Sequence, residues 1–358
     1  MTSVNHPLDA VIAAISPVGN DLDAALQVRL DSLTKPPGSL GRLEELAARI
    51  GRIQRTVKPM VAHKAVLVFA ADHGVARSGV SAYPAEVTPQ MVLNFLSGGA
   101  AVNVLARHAG ARVVVADVGV NFDFPPPPEG PLAHKVAHGT GSITDGPAMS
   151  RAQAHQALEA GIRVAQEVIR DGADLVAVGD MGIGNTTPSA ALTACFSGRT
   201  AREVTGRGTG VDDDGLRRKV EAVERALDVN APVPTDALGA LAGVGGFEIG
   251  AIAGAILACA RHRVPVLVDG FIATAGALVA HGLCPHAVDY MIAGHASAEP
   301  GHRIALDHLG LAPYLELNMR LGEGSGAVLA MHLAEAATRI MEQMATFEGA
   351  GVSGQDLP

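Results

Sequence analysis

The stretch AVLVFAAD, residues 65–72, is an apolar run of strand length that ends in an acidic residue. Three more runs have the same texture: RVVVADVGV at 112–120, DLVAVGD at 174–180 and VPVLVDG at 264–270. Longer Ala-rich segments of helical pattern separate them. Near-continuous apolar strands alternating with helices predict an α/β fold, in which helices cover both faces of a parallel sheet.

Several strand-like runs lead directly into Asp or Gly, as in AADHG, VADVG, VGDMGIGN, VDGF and AGHAS. Two weaker segments, DYMIAG at 289–294 and YLELN at 314–318, are predicted to add strands to the same sheet. In such folds ligands bind at the carboxyl ends of the strands, where these residues would gather. We therefore expect the functional site at that edge.

Both ends of the chain show apolar residues at helical spacing. Two patterns, at 21–33 and 39–56, flank the stiff turn TKPPG, and a last one runs from Ser325 to about Met344. No strand pattern follows the last one, so we expect it to pack with the N-terminal helices as a small helical domain, followed by a frayed tail. The expected boundaries are 1–60 for the N-terminal helices, 61–322 for the α/β domain and 323–358 for the last helix with the tail.

The composition excludes several classes of protein. The 358 residues are 48% hydrophobic and 18% charged, and the net charge of −9 argues against a nucleic-acid binder. Cys195, Cys259 and Cys284 lie in or beside apolar segments, which predicts buried free thiols. The N-terminus lacks a signal-peptide pattern, and the longest apolar run, 249–260, is too short to span a bilayer. We expect a cytoplasmic protein with no membrane or nucleic-acid partner.

The segment VGDMGIGNTTPSAA, residues 178–191, combines a strand end, a Gly-rich turn and a helix start. Thr187 is the expected N-cap, with Pro188 at the first helical position. That arrangement would direct backbone N–H groups at an anion such as a phosphate. An ordinary tight strand-to-helix turn is the alternative. The segment is not a Walker A motif, because it contains no GK[ST].

The segment RLGEGSGA, residues 320–327, places one carboxylate between two glycines. Arg320 could bind a phosphate or carboxylate bidentately, and Ser325 could cap the last helix. Glu323 is then a candidate catalytic group. The alternative is that it complements the positive end of the last helix.

Two histidine-containing segments follow other strand ends. AADHGV places Asp72 before His73, either as a catalytic pair or, the favoured interpretation, as strand-end hydrogen bonding. AGHASAEPGH contains His295, Glu299 and His302, which superficially suggest metal ligands. The Pro-Gly after Glu299 would break any helix that aligned them, so we expect no metal site.

Seven ordered blocks span the chain from about Leu30 to Met344: KPPGSLGRLE, ADHGV, SAYPAEVTPQMVLNFLSGGAAVNVLAR, GDMGIGNTTPSAA, VDGF, SAEPGHRIAL and RLGEGSGA. Together they resemble the nicotinate-nucleotide:dimethylbenzimidazole phosphoribosyltransferase family. The resemblance implies a Rossmann-like parallel sheet with a small helical domain from both termini, working as a homodimer. It implies transfer of the phosphoribosyl group from nicotinate mononucleotide to 5,6-dimethylbenzimidazole, without a cofactor. The product, α-ribazole 5′-phosphate, supplies the lower ligand of cobalamin.

The resemblance also implies roles for individual residues. Glu323 corresponds to the family's general base, and Asp180 is the second catalytic candidate. Family members often carry glutamate at the position of Asp180, which leaves the reach of the shorter side chain open. Nicotinate mononucleotide would be held by Asp180, Gly182, Lys219, Asp269, Ser297 and Arg320. The benzimidazole pocket maps onto Tyr83, Gln90, Met181 and Leu321.

Two alternatives from other classes remain at this point. One is a non-catalytic nucleotide-binding sensor, which would leave the glycine-framed Glu323 unexplained. The other is a nicotinamide-dependent oxidoreductase, suggested by fold class. GRGTGV and GVGGFE are poor matches to a dinucleotide fingerprint, which weakens the second alternative.

Overall fold

The computed structural model describes residues 7–353 and forms an α/β fold around one six-stranded parallel sheet. The sheet has the order β3-β2-β1-β4-β5-β6. Its strands are β1 (Lys64–Ala71), β2 (Ala111–Gly119), β3 (Leu132–Ala133), β4 (Leu175–Met181), β5 (Val266–Val268) and β6 (Met291–Ala293). The parallel sheet predicted from the sequence is therefore confirmed.

Helices surround the sheet. They are α1 (Pro7–Ala13), α2 (Asp23–Asp31), α3 (Arg42–Gln54), α4 (Val87–Leu96), α5 (Ala101–Ala109), α6 (Arg151–Arg170), α7 (Thr186–Ser197), α8 (Ala201–Val204), α9 (Asp213–Asn230), α10 (Ala237–Val244), α11 (Phe247–Arg261), α12 (Phe271–Leu283), α13 (Pro300–Leu309), α14 (Ser325–Gln343) and α15 (Phe347–Ala350). Short 3₁₀ turns occupy Gly74–Ser78 and Pro285–Tyr290.

Strand β1 shows why the central strands are apolar throughout. Leu67 and Phe69 pack into a core with α6, α11 and α12, whereas Val66 and Val68 pack into a second core with α3, α4, α5 and α14. Successive side chains of a strand point to opposite faces, so a strand covered on both sides needs apolar residues at every position. Helix α11, which contains the apolar run 249–260, is buried along almost its whole length. No helix within residues 7–353 is long and apolar enough to cross a membrane.

Two strand assignments differ from the expectation. The segment 314–318 does not join the main sheet, because β8 (Leu315–Glu316) pairs with β7 (His295–Ala296) in a separate two-stranded sheet. The Gly294 N–H after β6 still bonds Val268, and the N–H groups of Tyr314 and Leu315 bond the carbonyls of Ala293 and Gly294, where the small sheet begins. The short edge strand β3 was not predicted, since two residues after a proline-rich loop give no periodic signal.

The N-terminal and C-terminal segments of the chain contact each other, and α14 contributes most of the C-terminal side. This helix contacts α3 as expected, but it also packs on α5, β4 and β5. Residues 345–353 are not a frayed tail, which corrects the expectation. The Thr34 N–H donates to the Ala345 carbonyl, Leu33 forms a bridge with Thr346, and α15 follows. Residues 354–358 lie outside the described part of the chain.

Candidate active site

A cleft of about 300 Å³ opens at the carboxyl edge of the sheet, beside the end of β4. Seven of the eleven residues predicted for the site line it: Tyr83, Asp180, Met181, Gly182, Arg320, Leu321 and Glu323. A smaller cavity adjoins it and shares Thr186, Gly208, Ile272 and Arg320 with the cleft. Ser297 lines this smaller cavity, together with Gly270, His295 and Glu299. Eight of the eleven predicted residues therefore line two adjoining compartments.

Three predicted residues do not line either compartment: Gln90, Lys219 and Asp269. Gln90 is exposed on α4, and Val87 and Met91 of the same helix face the cleft instead. The helical pattern alone could not decide which of these side chains points inward. Lys219 and Asp269 are buried behind the residues that line the two compartments, and their side chains are 1% and 0% exposed.

The turn after β4 is built around Asp180 and Gly182. A Cβ at Gly182 would lie 2.5 Å from the Ala71 carbonyl oxygen, so the neighbouring strand end requires glycine there. The Asn185 amide Nδ2 donates to Asp180 Oδ2 over 2.8 Å. Asn185 was not identified from the sequence, because asparagine is a common residue in turns and nothing in this Gly-rich turn marks it as a ligand of Asp180.

Helix α7 begins two residues earlier than predicted, at Thr186 rather than at Pro188. Its N-cap is Asn185, which makes no side-chain capping bond because its amide holds Asp180. The prediction that Thr187 caps this helix is wrong, since its hydroxyl is buried without a hydrogen-bond partner. Pro188 then occupies the third helical position, where the missing N–H costs no intrahelical bond.

The pKa of Asp180 is raised to about 8. Burial is the main cause, and the charges of Asp269, Glu248 and Glu323 add to it, while the Asn185 hydrogen bond opposes it. At neutral pH this carboxyl is therefore largely protonated. A protonated carboxyl donates a hydrogen bond, which suits a residue that orients a ligand.

Glu323 has an unusual backbone. Its φ is +65°, and the residues on either side, Gly322 and Gly324, also have positive φ values of +82° and +90°. A left-handed conformation costs a non-glycine residue about 1–2 kcal/mol. A Cβ at Gly179 in β4 would collide with the Glu323–Gly324 peptide, so the segment rests directly on the strand. Glycines on both sides of Glu323 thus serve a turn that presents one carboxylate at the strand end.

The Glu323 side chain does not stabilise its own helix. Its Oε2 accepts a 3.2 Å hydrogen bond from the N–H of Val102, the second residue of α5, whereas Oε1 has no hydrogen-bond partner within residues 7–353. Burial raises the pKa of Glu323, and the charge of Asp269 raises it further, while the Val102 N–H opposes the shift. One oxygen is therefore anchored, and the other is left for the cleft.

The cap of α14 is Asp269 and not Ser325, which corrects the expectation for Ser325. Ser325 is the first residue of α14 rather than its cap, and its hydroxyl donates to the Gly322 carbonyl over 2.7 Å. Asp269 caps the helix instead, accepting from the N–H groups of Gly324 at 3.2 Å and Ala327 at 2.8 Å. Capping from a distant strand end leaves no pattern in local sequence.

Two basic groups converge on the loop that contains Gly208. The Lys219 ammonium donates to Thr186 Oγ1 over 2.8 Å, and Arg320 Nη1 donates to the Gly208 carbonyl over 2.8 Å. Burial lowers the pKa of Lys219 to about 8, although the charge of Glu299 opposes the shift. A Cβ at Gly208 would lie 2.6 Å from the Lys219 ammonium. The glycines of GRGTGV, weak as a fingerprint, therefore do belong to the site.

The loop between β7 and α13 is held by a neutral histidine. His302 Nδ1 accepts from the Ser297 N–H at 2.9 Å, and Nε2 lies 3.0 Å from Thr274 Oγ1. Because the Thr274 hydroxyl donates to Gly270, the Nε2 nitrogen carries the proton. Burial lowers the pKa of His302 to about 3, with the charge of His295 adding to the shift. The Nε2 bond to Thr274 fixes the ring, and the ring then positions Ser297 through Nδ1.

The favoured interpretation of Asp72 and His73 is confirmed. Asp72 Oδ2 accepts from the Asn121 N–H at 2.8 Å, and His73 pairs instead with Glu248 at 2.7 Å. These contacts are strand-end hydrogen bonds among buried groups, and the two residues do not form a pair with each other.

Comparison with known proteins gives consistent results. A family model described as a phosphoribosyltransferase matches residues 15–352. The nicotinate-nucleotide–dimethylbenzimidazole phosphoribosyltransferases of Chloroflexus aggregans and Geobacter sulfurreducens are each 56% identical to this chain. The matches cover 97% and 98% of it, and 98% and 99% of the relatives.

A crystal structure of the enzyme of the same name from Thermus thermophilus matches with a TM-score of 0.89 at 51% identity, covering 94% of this chain and 99% of that one. A second Thermus structure, of CobT, matches with a TM-score of 0.90 at 52% identity, covering 93% and 99%. The family model, the relatives and the solved structures therefore agree: this chain belongs to the nicotinate-nucleotide–dimethylbenzimidazole phosphoribosyltransferase family.

Proposed function

We propose that this protein transfers the 5-phosphoribosyl group of nicotinate mononucleotide to 5,6-dimethylbenzimidazole. The products are nicotinate and α-ribazole 5′-phosphate, the nucleotide that supplies the lower ligand of cobalamin. The observation that carries the proposal is Glu323, a carboxylate anchored by one oxygen at the end of a two-compartment cleft. The family membership of the chain supports the choice of substrates.

The nucleotide is proposed to occupy the smaller cavity and its junction with the cleft. Lys219 and Arg320 both lie against the Gly208 loop, so a phosphate bound beside it would be near two cations. Gly182 and Thr186, the first residue of α7, line the adjoining cleft, and a helix N-terminus favours an anion. Ser297 would contact the nucleotide from the far side of the smaller cavity.

The benzimidazole is proposed to bind in the wider compartment. Tyr83, Met181 and Leu321 line it, and apolar and aromatic side chains of this kind suit a flat heterocycle. Tyr83 and Leu321 are 55% and 56% exposed, so a bound base would cover surface that water now reaches. Gln90 does not line this compartment, and Val87 and Met91 are the α4 residues proposed to contact the base.

A single base suffices for the reaction. Nicotinate is a pyridinium while it is bound to C1′, so the C1′–N bond breaks with its electron pair going to the pyridine nitrogen, and no acid is needed. Glycosidases need a second carboxyl group, because their leaving oxygen must be protonated. The attacking benzimidazole nitrogen forms the new bond to C1′, and the proton on the other ring nitrogen moves to Glu323.

Asp180 is proposed to orient the reactants rather than to accept the proton. Asn185 holds one of its oxygens, and its raised pKa makes it a hydrogen-bond donor at neutral pH. The phosphate remains attached throughout, so binding energy remote from C1′ positions the ribose for attack.

The experiment that tests this proposal mixes the purified protein with nicotinate mononucleotide and 5,6-dimethylbenzimidazole. Nicotinate release that depends on both the protein and the base supports transfer. Nucleotide binding without nicotinate release would favour the sensor alternative, and reduction of a nicotinamide cofactor would favour the oxidoreductase. Neither alternative is supported by the comparisons, whose matches are named as phosphoribosyltransferases.

We also propose a homodimer in the cytoplasm, with no nucleic-acid partner. Leu93 and Leu96 on α4 and Val104 on α5 are 41%, 37% and 53% exposed, which leaves apolar surface near the cleft for a second copy. The net charge of −9 disfavours a nucleic-acid surface. The division at residues 60 and 322 stays a prediction, and sedimentation analysis would establish the oligomeric state.

A further inference from the structure

We propose that Asp269 is a positioning residue that acts on the reaction through Glu323, and that it does not bind the nucleotide. This inference rests on the proposed function, because it assigns Asp269 a part in the same proton transfer. Its basis is the helix cap that Asp269 forms with the turn carrying Glu323.

Asp269 has no free surface to offer a ligand. Its side chain is fully buried behind the end of β5 and lines neither compartment. Oδ2 accepts from the Gly324 N–H at 3.2 Å, and Oδ1 accepts from the Ala327 N–H at 2.8 Å. The His295 ring also approaches this carboxylate, with Nε2 at 3.5 Å from Oδ1.

The two N–H groups belong to the segment that shapes the catalytic turn. Gly324 is the residue after Glu323 and the N-cap of α14, and Ala327 is the third residue of that helix. In a capping box the N-cap side chain accepts from the third helical N–H, and the third side chain accepts from the N-cap N–H. Gly324 has no side chain and Ala327 has only a methyl group, so neither bond can form locally. Asp269 therefore supplies the cap from another strand and fixes the start of the helix relative to the sheet.

The turn needs such an anchor because its backbone is unfavourable. Gly322, Glu323 and Gly324 are three successive residues with positive φ, and Glu323 among them carries a side chain. Such conformations persist only where the surroundings hold them. Gly179 supports the turn from below, and Asp269 holds the following helix start. Loss of the cap would let the Glu323 carboxylate shift from its place beside Val102.

The charge of Asp269 also reaches Glu323 directly. Burial raises the pKa of Glu323, and Asp269 raises it further, while the α5 backbone opposes the shift. Asp180 on β4 is the other acidic group that interacts with Glu323. A neutral residue at 269 would remove one of these like charges and lower the Glu323 pKa. The acid limb of the rate–pH profile would then move to lower pH.

The test uses Asp269→Asn, which keeps the shape but replaces one acceptor by an amide group. We expect kcat to fall about 100-fold, the size of effect that misplacing a reacting group by about 1 Å can have. The Michaelis constant for nicotinate mononucleotide should stay within about twofold of the wild type. In the Glu323→Gln variant the same substitution should change kcat by less than about threefold. Asp269 is proposed to act only by positioning the Glu323 carboxylate, and that carboxylate is absent from this variant.

Asp236→Asn is the matched control, since Asp236 caps α10 through the Gly239 N–H at 2.9 Å and lines neither compartment. Both variants should unfold at a lower temperature than the wild type. Only Asp269→Asn should change kcat and shift the acid limb of the rate–pH profile. If Asp269→Asn does not fold, Asp269→Glu keeps the charge while displacing both acceptors, and the same loss of kcat with an unchanged Michaelis constant is expected.

A rise of about tenfold in the Michaelis constant for the nucleotide, with kcat preserved, would overturn the inference in favour of direct binding. An equal loss of kcat with and without Glu323 would overturn it as well. The proposed function is judged separately, on nicotinate release by the wild-type protein before any variant is compared.

Discussion

Replacing Glu323 by glutamine removes the basicity of the side chain and leaves its shape almost unchanged. The amide oxygen can still accept the Val102 N–H, so the anchored half of the group is retained. The other half becomes an amide nitrogen that cannot take the benzimidazole proton. A positioned general base is worth about 10²- to 10⁴-fold in rate. We therefore expect kcat to fall by that factor, equivalent to about 3–5 kcal/mol in the activation free energy.

The pH dependence supplies an independent readout of the same substitution. Burial and the charge of Asp269 raise the pKa of Glu323, so the wild-type rate should fall as the pH drops through a carboxyl pKa above the usual range for glutamate. This limb should be missing in Glu323→Gln. Both Michaelis constants should be nearly unchanged, because the amide fits between Gly322 and Gly324. Initial rates of nicotinate release, measured across a pH series and at varied concentrations of each substrate, give the acid limb and both Michaelis constants.

A buried glutamate outside the cleft is the matched control. Glu44 accepts the Leu40 N–H at 3.0 Å and pairs with Lys35 at 2.9 Å. Glu44→Gln should lower the unfolding temperature and leave kcat unchanged. Normal turnover by Glu323→Gln, combined with a lower unfolding temperature, would refute the assignment and make Glu323 a stabiliser of the α5 N-terminus.

Four further substitutions test other parts of the cleft. Arg320→Ala should raise the Michaelis constant for the nucleotide and leave that for the base unchanged; equal changes in both would contradict a phosphate role. Asp180→Glu should keep or improve activity, and a loss of about 100-fold or more, the scale that misplacing a reacting group can reach, would indicate a differently arranged site. Because the Lys219 pKa is lowered to about 8, nucleotide affinity should weaken as the pH rises through 8, and Lys219→Arg should remove this dependence; an unchanged pH profile of the Michaelis constant in that variant would argue against Lys219. Gly179→Ala should push the Glu323 peptide off β4, destabilise the fold by about 1–3 kcal/mol and lower kcat; wild-type kinetics in this variant would show that the contact is unimportant.

The sequence predicted the sheet well because burial on both faces of β1 demands an unbroken apolar run, here residues 65–71. Glycines on both sides of Glu323 also indicated an unusual turn, and the structure shows one, with positive φ at Gly322, Glu323 and Gly324. Chain ends and short strands were harder to predict. The pairing of Leu33 with Thr346 joins residues far apart in sequence, and no local pattern reports such a contact.

Capping was the least predictable feature of the site. Thr187 and Ser325 have the residue types of helix caps, but Asn185 and Gly324 occupy those positions. At α7, Asn185 uses its amide to bond Asp180, five residues earlier in the same segment. At α14 the cap comes from Asp269, which follows a different strand, so spacing within RLGEGSGA could not reveal it.

The most direct test of the proposed reaction is the configuration at C1′ of its product. Attack on the face opposite the departing nicotinate converts a β-nucleotide into an α-nucleotide in a single displacement. The proton NMR spectrum of the nucleotide formed from nicotinate mononucleotide and 5,6-dimethylbenzimidazole should show the α-anomer, in an amount equal to the nicotinate released. A β-configured product, or nicotinate released without a benzimidazole nucleotide, would contradict the proposed reaction.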